Sequence, residues 1–495
     1  MGDRRIGKIA IIGGGTAGWM TAAALAHALD ARACSITLVE SDDIGTIGVG
    51  EATIPTIHWF NQLVGLNERE FMRETQGSYK LGIEFKNWTK PGHRYFHPFG
   101  RYGFPQDGIS FQHRWIRAQL EGQVDNFEDY SLNTVAALAG KFEFPATDPR
   151  SLLSTLGYAY HFDASLYAKH LRAGAERRGV KRCEGKVDHI DQHPETGFVT
   201  AVRTHRGELI EAELFIDCSG MRGLLIEGLL KTGFEDWSHW LPCDRAVAVA
   251  SERMEAPQPF TRSTQREAGW QWRIPLQQRT GNGYVFCSRF ISDDEAAAVL
   301  FANVEGKALG TPRFIPFKAG KRRLLWNKNV VAIGLSAGFL EPLESTSIHF
   351  IQSGIAKLLS LFPTRDCDPY TAEQYNRVCA GELNAVRDFL VLHYHATGGH
   401  DTALWQHCRN MTLPDSLIYK EEQFKRSGRI VLDADDLFKE SSWFAVLNGQ
   451  GFCARDYNPL IDSIDRESNR SHLQRLRGEI KDIVGKMRPH QAFLA

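Results

Sequence analysis

An apolar run, Lys8-Ile9-Ala10-Ile11-Ile12, leads directly into Gly13-Gly14-Gly15-Thr16-Ala17-Gly18, and this junction constrains the fold more than any other stretch of the chain. A run of this kind suits a strand buried in a parallel sheet. Thr16 to Leu29 is Ala-rich and helix-prone, and Ser35-Ile36-Thr37-Leu38-Val39 reads as a second strand ending at Glu40. Strand, glycine turn, helix, strand and acid follow in the order of a dinucleotide-binding unit. Gly13 permits the tight turn, Gly15 lets the backbone approach a pyrophosphate, and Gly18 allows close packing of helix on strand. The helix start at Thr16 and Ala17 supplies free N–H groups and partial positive charge for the phosphates. Glu40 can accept hydrogen bonds from the adenosine ribose hydroxyls.

Composition narrows the class. The chain has 495 residues, 43% of them apolar, so it can bury a large core, and its length corresponds to about three domain-sized units. With 58 basic and 59 acidic residues well mixed, no basic stripe marks a nucleic-acid or anionic-lipid partner. Nine scattered cysteines, without a C-x-x-C pair, argue against a disulfide framework or a zinc site and for a reducing compartment. The strand-like run starting near Lys8 leaves no space for a signal peptide, and no run of about 18 apolar residues is present to span a bilayer. A soluble cytoplasmic enzyme is the expectation. Thr371 to His395 and Ser463 to Met487 carry helical periodicity; Leu473, Leu476, Ile480, Ile483 and Met487 form one stripe, read as packing on the protein's own core.

Two further strand-like runs matter. Ala212 to Ile216 precedes Asp217-Cys218-Ser219-Gly220, and Asn329 to Gly334 precedes Leu335-Ser336-Ala337-Gly338. They resemble the two later flavin-contacting segments of the glutathione-reductase-like FAD fold, which favours FAD over NAD and brings Gly334 and Leu335 to the cofactor. The usual Gly-Asp of the last segment is absent, since Leu335 follows Gly334, so contact there falls to backbone or water. The implied architecture is α/β: a Rossmann-type FAD-binding domain interrupted by insertions, with a mainly helical substrate domain. The expected FAD-binding parts are 1–100, 150–230 and 310–365. The expected substrate-binding and helical parts are 101–149, 231–309 and 366–495.

Far downstream of the fingerprint lies Trp270-Gln271-Trp272-Arg273-Ile274-Pro275. A W-x-W-x-I-P hexapeptide in this position resembles flavin-dependent halogenases of the tryptophan halogenase family, and the resemblance runs from Lys8 to about Gly451. Tyr79-Lys80-Leu81-Gly82-Ile83-Glu84-Phe85-Lys86 alternates like a strand, with Leu81, Ile83 and Phe85 on one face and Lys80, Gly82, Glu84 and Lys86 on the other. Alone, that pattern describes a solvated face. The resemblance assigns Lys80, in its Ser-Tyr-Lys context before Phe-x-Asn-Trp, as the essential lysine that donates to hypohalous acid or becomes a haloamine. Lysine suits either role because burial strongly affects its charge state.

The same resemblance assigns Glu344, in Phe339-Leu340-Glu341-Pro342-Leu343-Glu344-Ser345-Thr346-Ser347-Ile348, as the active-site carboxylate. Ring halogenation passes through a cation, which a carboxylate can stabilise and deprotonate. Glu341, before Pro342, is read as structural. Backbone N–H groups of Thr346 and Ser347 are the implied halide contacts. Members acting on free tryptophan usually carry glycine where this chain has Ser347, and bromide is expected to serve at least as well as chloride. His97 and Phe99, in His-Pro-Phe, and Trp443, in Ser442-Trp443-Phe444, fit the family's substrate contacts. Gly48-Val49-Gly50-Glu51-Ala52-Thr53 resembles the strap between flavin and substrate sites, which adds Gly50, Ala52 and Thr53 to the cofactor contacts. Trp270 and Trp272 are implied to crowd the flavin and bar organic substrate from it.

The implied activity uses FADH2 from a separate flavin reductase, with O2 and chloride or bromide as co-substrates, to halogenate a small electron-rich aromatic ring. A homodimer is compatible with it, and no metal is expected. The alternative, a single-component FAD hydroxylase, predicts rapid flavin reduction by NAD(P)H and turnover without halide. Between Phe424 and Ser442 there is no tyrosine, and Asp433, Asp435, Asp436 and Glu440 read as a solvated helix start. Arg426 and Arg429 are the available carboxylate partners there. An indole-type substrate is therefore expected in preference to the zwitterion of free tryptophan, whose charges would need buried partners.

Overall fold

The computed structural model describes residues 4–44, 51–104, 108–123 and 126–494. The chain divides into two compact units. The first comprises residues 1–76, 162–238 and 317–384, and the second 77–161, 239–316 and 385–495.

The first unit is built on a six-stranded sheet whose order is Trp326–Asn327, Val330–Ala332, Leu214–Asp217, Lys8–Ile12, Ser35–Glu40 and Lys181–Glu184. All neighbours are parallel except the first pair. Ile9 stands beside Ile36 on one side and Leu214 on the other, so the apolar run at the start of the chain is central in the sheet, and Ile9 to Ile12 are all buried. Helix Thr16–Ala28 follows the glycine turn and packs against helices Ala164–Arg177 and Ser347–Ser360. Its small buried residues, Ala22, Ala23 and Ala24, allow that close approach. A Cβ at Gly18 would fall inside the carbonyl oxygen of Gly13, so the third fingerprint glycine is a packing requirement.

The second unit centres on a seven-stranded sheet ordered Ala308–Pro316, Arg245–Glu252, Arg279–Phe286, Gly269–Pro275, Thr261–Arg266, Gly82–Lys86 and Arg94–Pro98. Only Thr261–Arg266 and Gly82–Lys86 run parallel. Helix Asp293–Ala302 starts at a capping box formed by Ser292 and Glu295 and closes a core of Val247, Val249, Tyr284, Phe286, Ala296 and Leu300. The expected helices are present as Pro369–His395 and Arg466–Lys486. Arg466–Lys486 buries Leu473, Leu476, Ile480 and Val484, each worth about 1.5–3 kcal/mol when fully enclosed. Ile483 is half-buried and Met487 buried, so the stripe packs on this protein's own core.

The boundaries differ from those expected at 100, 150, 230, 310 and 365. Residues 77–100 join the second unit because Gly82–Lys86 and Arg94–Pro98 complete its sheet. Residues 150–161 follow because Ala159 to His161 pair with Ser78–Lys80. Phe234–Asp236 pairs instead with Gly320–Arg322 and draws 231–238 into the first unit. The helix Pro369–His395 runs through the last boundary. Among the described residues no helix is long and apolar enough to cross a membrane, and no group of His, Cys, Asp or Glu could hold a metal ion.

Candidate active site

In the first unit, the three segments read from the sequence meet. Gly13, at φ +112°, makes the turn, its N–H bonded to Val39 O at 2.8 Å. A side chain there would strike the Cys218 carbonyl. Around Gly15, a Cβ would meet nothing within 4 Å. Open space therefore lies at the start of helix Thr16–Ala28, which has no acidic residue in its first turn and no side-chain cap. That cradle fits a pyrophosphate. Asp217, fully buried, accepts from the N–H groups of Ser219, Leu225 and Ile226 at 3.0, 2.8 and 2.9 Å. Ser336 Oγ bonds the Asp217 carbonyl, which ties the third segment to the second. Gly334, at φ +77°, faces Ala17, so the third segment also touches the fingerprint turn; Leu335 beside it is half-buried.

Glu40 is already engaged. Its carboxylate accepts from Arg182 Nε at 2.5 Å and Trp19 Nε1 at 3.3 Å, with Arg172 at 3.5 Å. Any ribose hydroxyl would share lone pairs with these donors, of which a carboxylate offers about four sites. Ala52 and Thr53 are buried, while Gly48, Val49 and Gly50 lie outside the described residues. Burial and the nearby charge of Asp163 push the Glu51 carboxyl up to about 7.

The block around Glu344 also belongs to this unit. Pro342–Glu344 forms one tight turn, Ser345 takes the left-handed conformation (φ 60°), and helix Ser347–Ser360 begins. Glu344 and Thr346 are fully buried and Ser347 half-buried. The helix has no acid in its first turn, and Thr346 Oγ1 is buried with no hydrogen-bond partner. Backbone N–H groups at a helix start beside an unsatisfied hydroxyl suit a small anion. One turn in, His349 bridges Thr56 and Glu382, at 2.9 Å to each. Burial would raise the Glu382 carboxyl, but His349 and Lys357 hold it at about 2. Glu341 is as enclosed as Glu344, so burial does not separate the two carboxylates.

The second unit holds Lys80. The expected single strand is two, Ser78–Lys80 and Gly82–Lys86, broken at Leu81. The Leu81 N–H donates to Pro259 O at 2.7 Å, and its carbonyl accepts from Phe99 N at 3.0 Å and Asn133 Nδ2 at 2.8 Å. The solvated face that the alternation alone describes is absent: Lys80, Gly82 and Glu84 are all buried, and only Lys86 is exposed. The Lys80 ammonium lies 4.9 Å from the centre of the Phe99 ring, a cation–π contact. Asn133 also bonds both the N–H and the carbonyl of Gly157, at 3.2 and 2.6 Å. Nothing in the helix-like sequence around Asn133 signals this role.

A second brace lies on the other side of Lys80. Ser78 Oγ donates to Pro275 O at 2.6 Å, so it accepts from His161 Nδ1 at 2.9 Å, and His161 Nε2 accepts from Thr261 Oγ1 at 3.0 Å. With the ring neutral, this arrangement places its proton on Nδ1. Burial, with the Lys80 charge as the next cause, keeps the His161 pKa well below its ordinary value.

From Phe99 an aromatic chain runs through His97 (ring centres 6.3 Å apart) to Phe389 and Phe438, each 5.7 Å from His97, and on to Trp443, 4.9 Å from Phe389. The structure thus brings Lys80, His97, Phe99 and Trp443 into one enclosed cluster. It adds Phe389 and Phe438, which sequence reasoning missed because isolated phenylalanines carry no signal. It also corrects the solvated reading of Asp436, which is buried and bonded to Lys420 at 2.5 Å.

Trp270 and Trp272 stand on the central strand of the seven-stranded sheet. Register places Gly283, Trp272, Ser263, Phe85 and Tyr95 side by side across five strands, and alternate residues return to the same face. Trp270 and His97 therefore share that face. A Cβ at Gly283 would sit inside the Trp272 ring, so glycine at 283 makes the slot in which the indole lies.

Residues 8–466 match the family described as tryptophan halogenase. The solved structure of BrvH, a flavin-dependent halogenase from Brevundimonas sp. BAL3, is 45% identical with a TM-score of 0.96, covering 99% of each chain. Xcc4156, a flavin-dependent halogenase from Xanthomonas campestris, is also 45% identical, with a TM-score of 0.95 over 99% of this chain and 98% of that one. The tryptophan 6-halogenase SttH of Streptomyces toxytricini is 34% identical, covering 100% of this chain and 99% of its own.

Proposed function

Because the chain belongs to the tryptophan halogenase family and is a flavin-dependent halogenase of aromatic rings, we propose that it uses FADH2, O2 and chloride or bromide to halogenate an uncharged indole-type ring. A separate flavin reductase supplies the FADH2. Reduced flavin, when bound, supplies the electrons with which oxygen converts halide to hypohalous acid. The glycine turn at 13–18 and the Gly334–Leu335 segment hold the cofactor, together with Glu40 and the strap ending in Ala52 and Thr53. Thr346 and Ser347 hold the halide.

Lys80 directs hypohalous acid: its ammonium donates to the oxygen, making the halogen electrophilic. The ring carbon then takes the halogen as the oxygen leaves as water, and Glu344 stabilises the cation and removes the ring proton. The observation that supports this reading best is the complete burial of Lys80 against Phe99, at one end of an aromatic cluster that reaches Trp443.

The test supplies a flavin reductase, NADH, air and equimolar chloride and bromide to an aromatic panel, and reads product masses. Halide-dependent mass shifts on indole, weaker on tryptophan, with bromide used at least as well as chloride, are the expected result. Oxygenated product without halide would support the hydroxylase instead. A clear preference for tryptophan would remove the substrate reading, and a large preference for chloride the halide reading.

Trp272 is proposed to keep organic substrate from the flavin. Trp272→Ala is expected to retain FAD and to release more peroxide per turnover. Gly283→Ala, which fills the slot beneath the ring, is expected to do the same and to add nothing when combined with Trp272→Ala. Unchanged coupling in both single variants would count against a barrier.

A further inference from the structure

We propose that the buried Lys420–Asp436 pair beneath Trp443 acts as a charge filter, making the substrate site selective for indoles that carry no ammonium or carboxylate. This rests on the indole reading above and names what enforces it.

Helix Asp415–Ser427 buries Leu417, Lys420, Glu421 and Phe424. That spacing marks the inward stripe of an amphipathic helix, where a lysine is costly unless matched. Lys420 is matched closely. Its Nζ lies 2.5 Å from Asp436 Oδ2, with side-chain exposures of 6% and 2%, and 3.2 Å from the exposed carboxylate of Asp433. Asp436 Oδ2 also accepts from the Asp433 N–H at 2.6 Å. The same ammonium lies 5.0 Å from the centre of the Trp443 ring. That ring and Phe389 meet edge to face, and Phe389 is stacked on Phe438 with centres 4.2 Å apart.

One side of Trp443 is therefore held by a cation already neutralised within the protein, and the aromatic wall beyond it is apolar. A buried pair of this kind adds little net stability over a packed apolar replacement, but it leaves no unmatched charge beside Trp443. An indole bearing an ammonium or carboxylate would lose its hydration without finding a partner, which is expensive. A neutral indole meets no such barrier. Removing one sign of charge reverses the logic. Asp433→Asn together with Asp436→Asn leaves an ammonium that recruits a carboxylate, and Lys420→Met leaves the buried Asp436 carboxylate to recruit an ammonium.

Dissociation constants for indole, indole-3-acetate and tryptamine, measured by calorimetry on the FAD-loaded protein, decide the matter. Wild type should bind indole at least as tightly as either charged analogue. The double variant Asp433→Asn/Asp436→Asn should tighten indole-3-acetate relative to indole by about tenfold or more, and Lys420→Met should do so for tryptamine, as expected for a charge-assisted hydrogen bond. Folded variants that keep the wild-type order would overturn the proposal. So would a wild type that binds either charged analogue tenfold more tightly than indole, and that measurement decides even if a variant fails to fold. The readout is binding, so a failure to halogenate would strike the proposed function alone.

Discussion

Lys80→Ala is expected to bring halogenation to the limit of detection, a loss of about a hundredfold to ten-thousandfold, while FAD affinity stays within a few-fold of wild type. The size follows from the role: a single well-placed group that polarises the reagent contributes about two to four orders of magnitude. Lys80 is fully buried with its ammonium over Phe99, so the alanine variant also loses packing of the lysine stem. Lys80→Met restores that volume without the charge and separates the two effects. It should fold with nearly wild-type stability and remain inactive. Product formation within a few-fold of wild type in either variant would remove Lys80 from the chemistry.

Glu344→Gln should lower kcat by about two to four orders of magnitude, the usual range for general-base help, with KM changed far less. The amide keeps the shape of a fully buried side chain but can neither take the ring proton nor carry charge opposite the ring cation. Glu341→Gln is the informative companion, because that carboxylate is equally buried three residues earlier. A large loss at Glu341 with a small one at Glu344 would exchange the two assignments.

Both assignments were open to a sequence reader only through resemblance. The alternation around Lys80 describes a solvated face, and nothing local announces the break at Leu81. That break exists because Pro259, Phe99 and Asn133, all distant in sequence, satisfy the backbone of Leu81. Once the strand breaks there, Lys80 leaves the register of Gly82–Lys86 and pairs with Ala159 instead. The burial of Asp436 escapes the sequence for a similar reason. A run of acids before a helix is ordinarily solvated, and only the inward face of the helix at Asp415–Ser427 supplies Lys420 to bury it.

By itself, the sequence determined the dinucleotide unit, because a glycine turn between an apolar strand and a small-residue helix is a local geometric demand that few folds meet. It also determined that two later strands return to that unit, and the Trp-x-Trp strand that assigns the family. The tertiary structure alone decided which charged groups are enclosed: Lys80, Glu344, Lys420 and Asp436. It also decided that Gly283 opens the slot for Trp272. Local pattern fixes which way a backbone turns, but the environment of a charge is set by what other segments place around it, and those segments come from far along the chain.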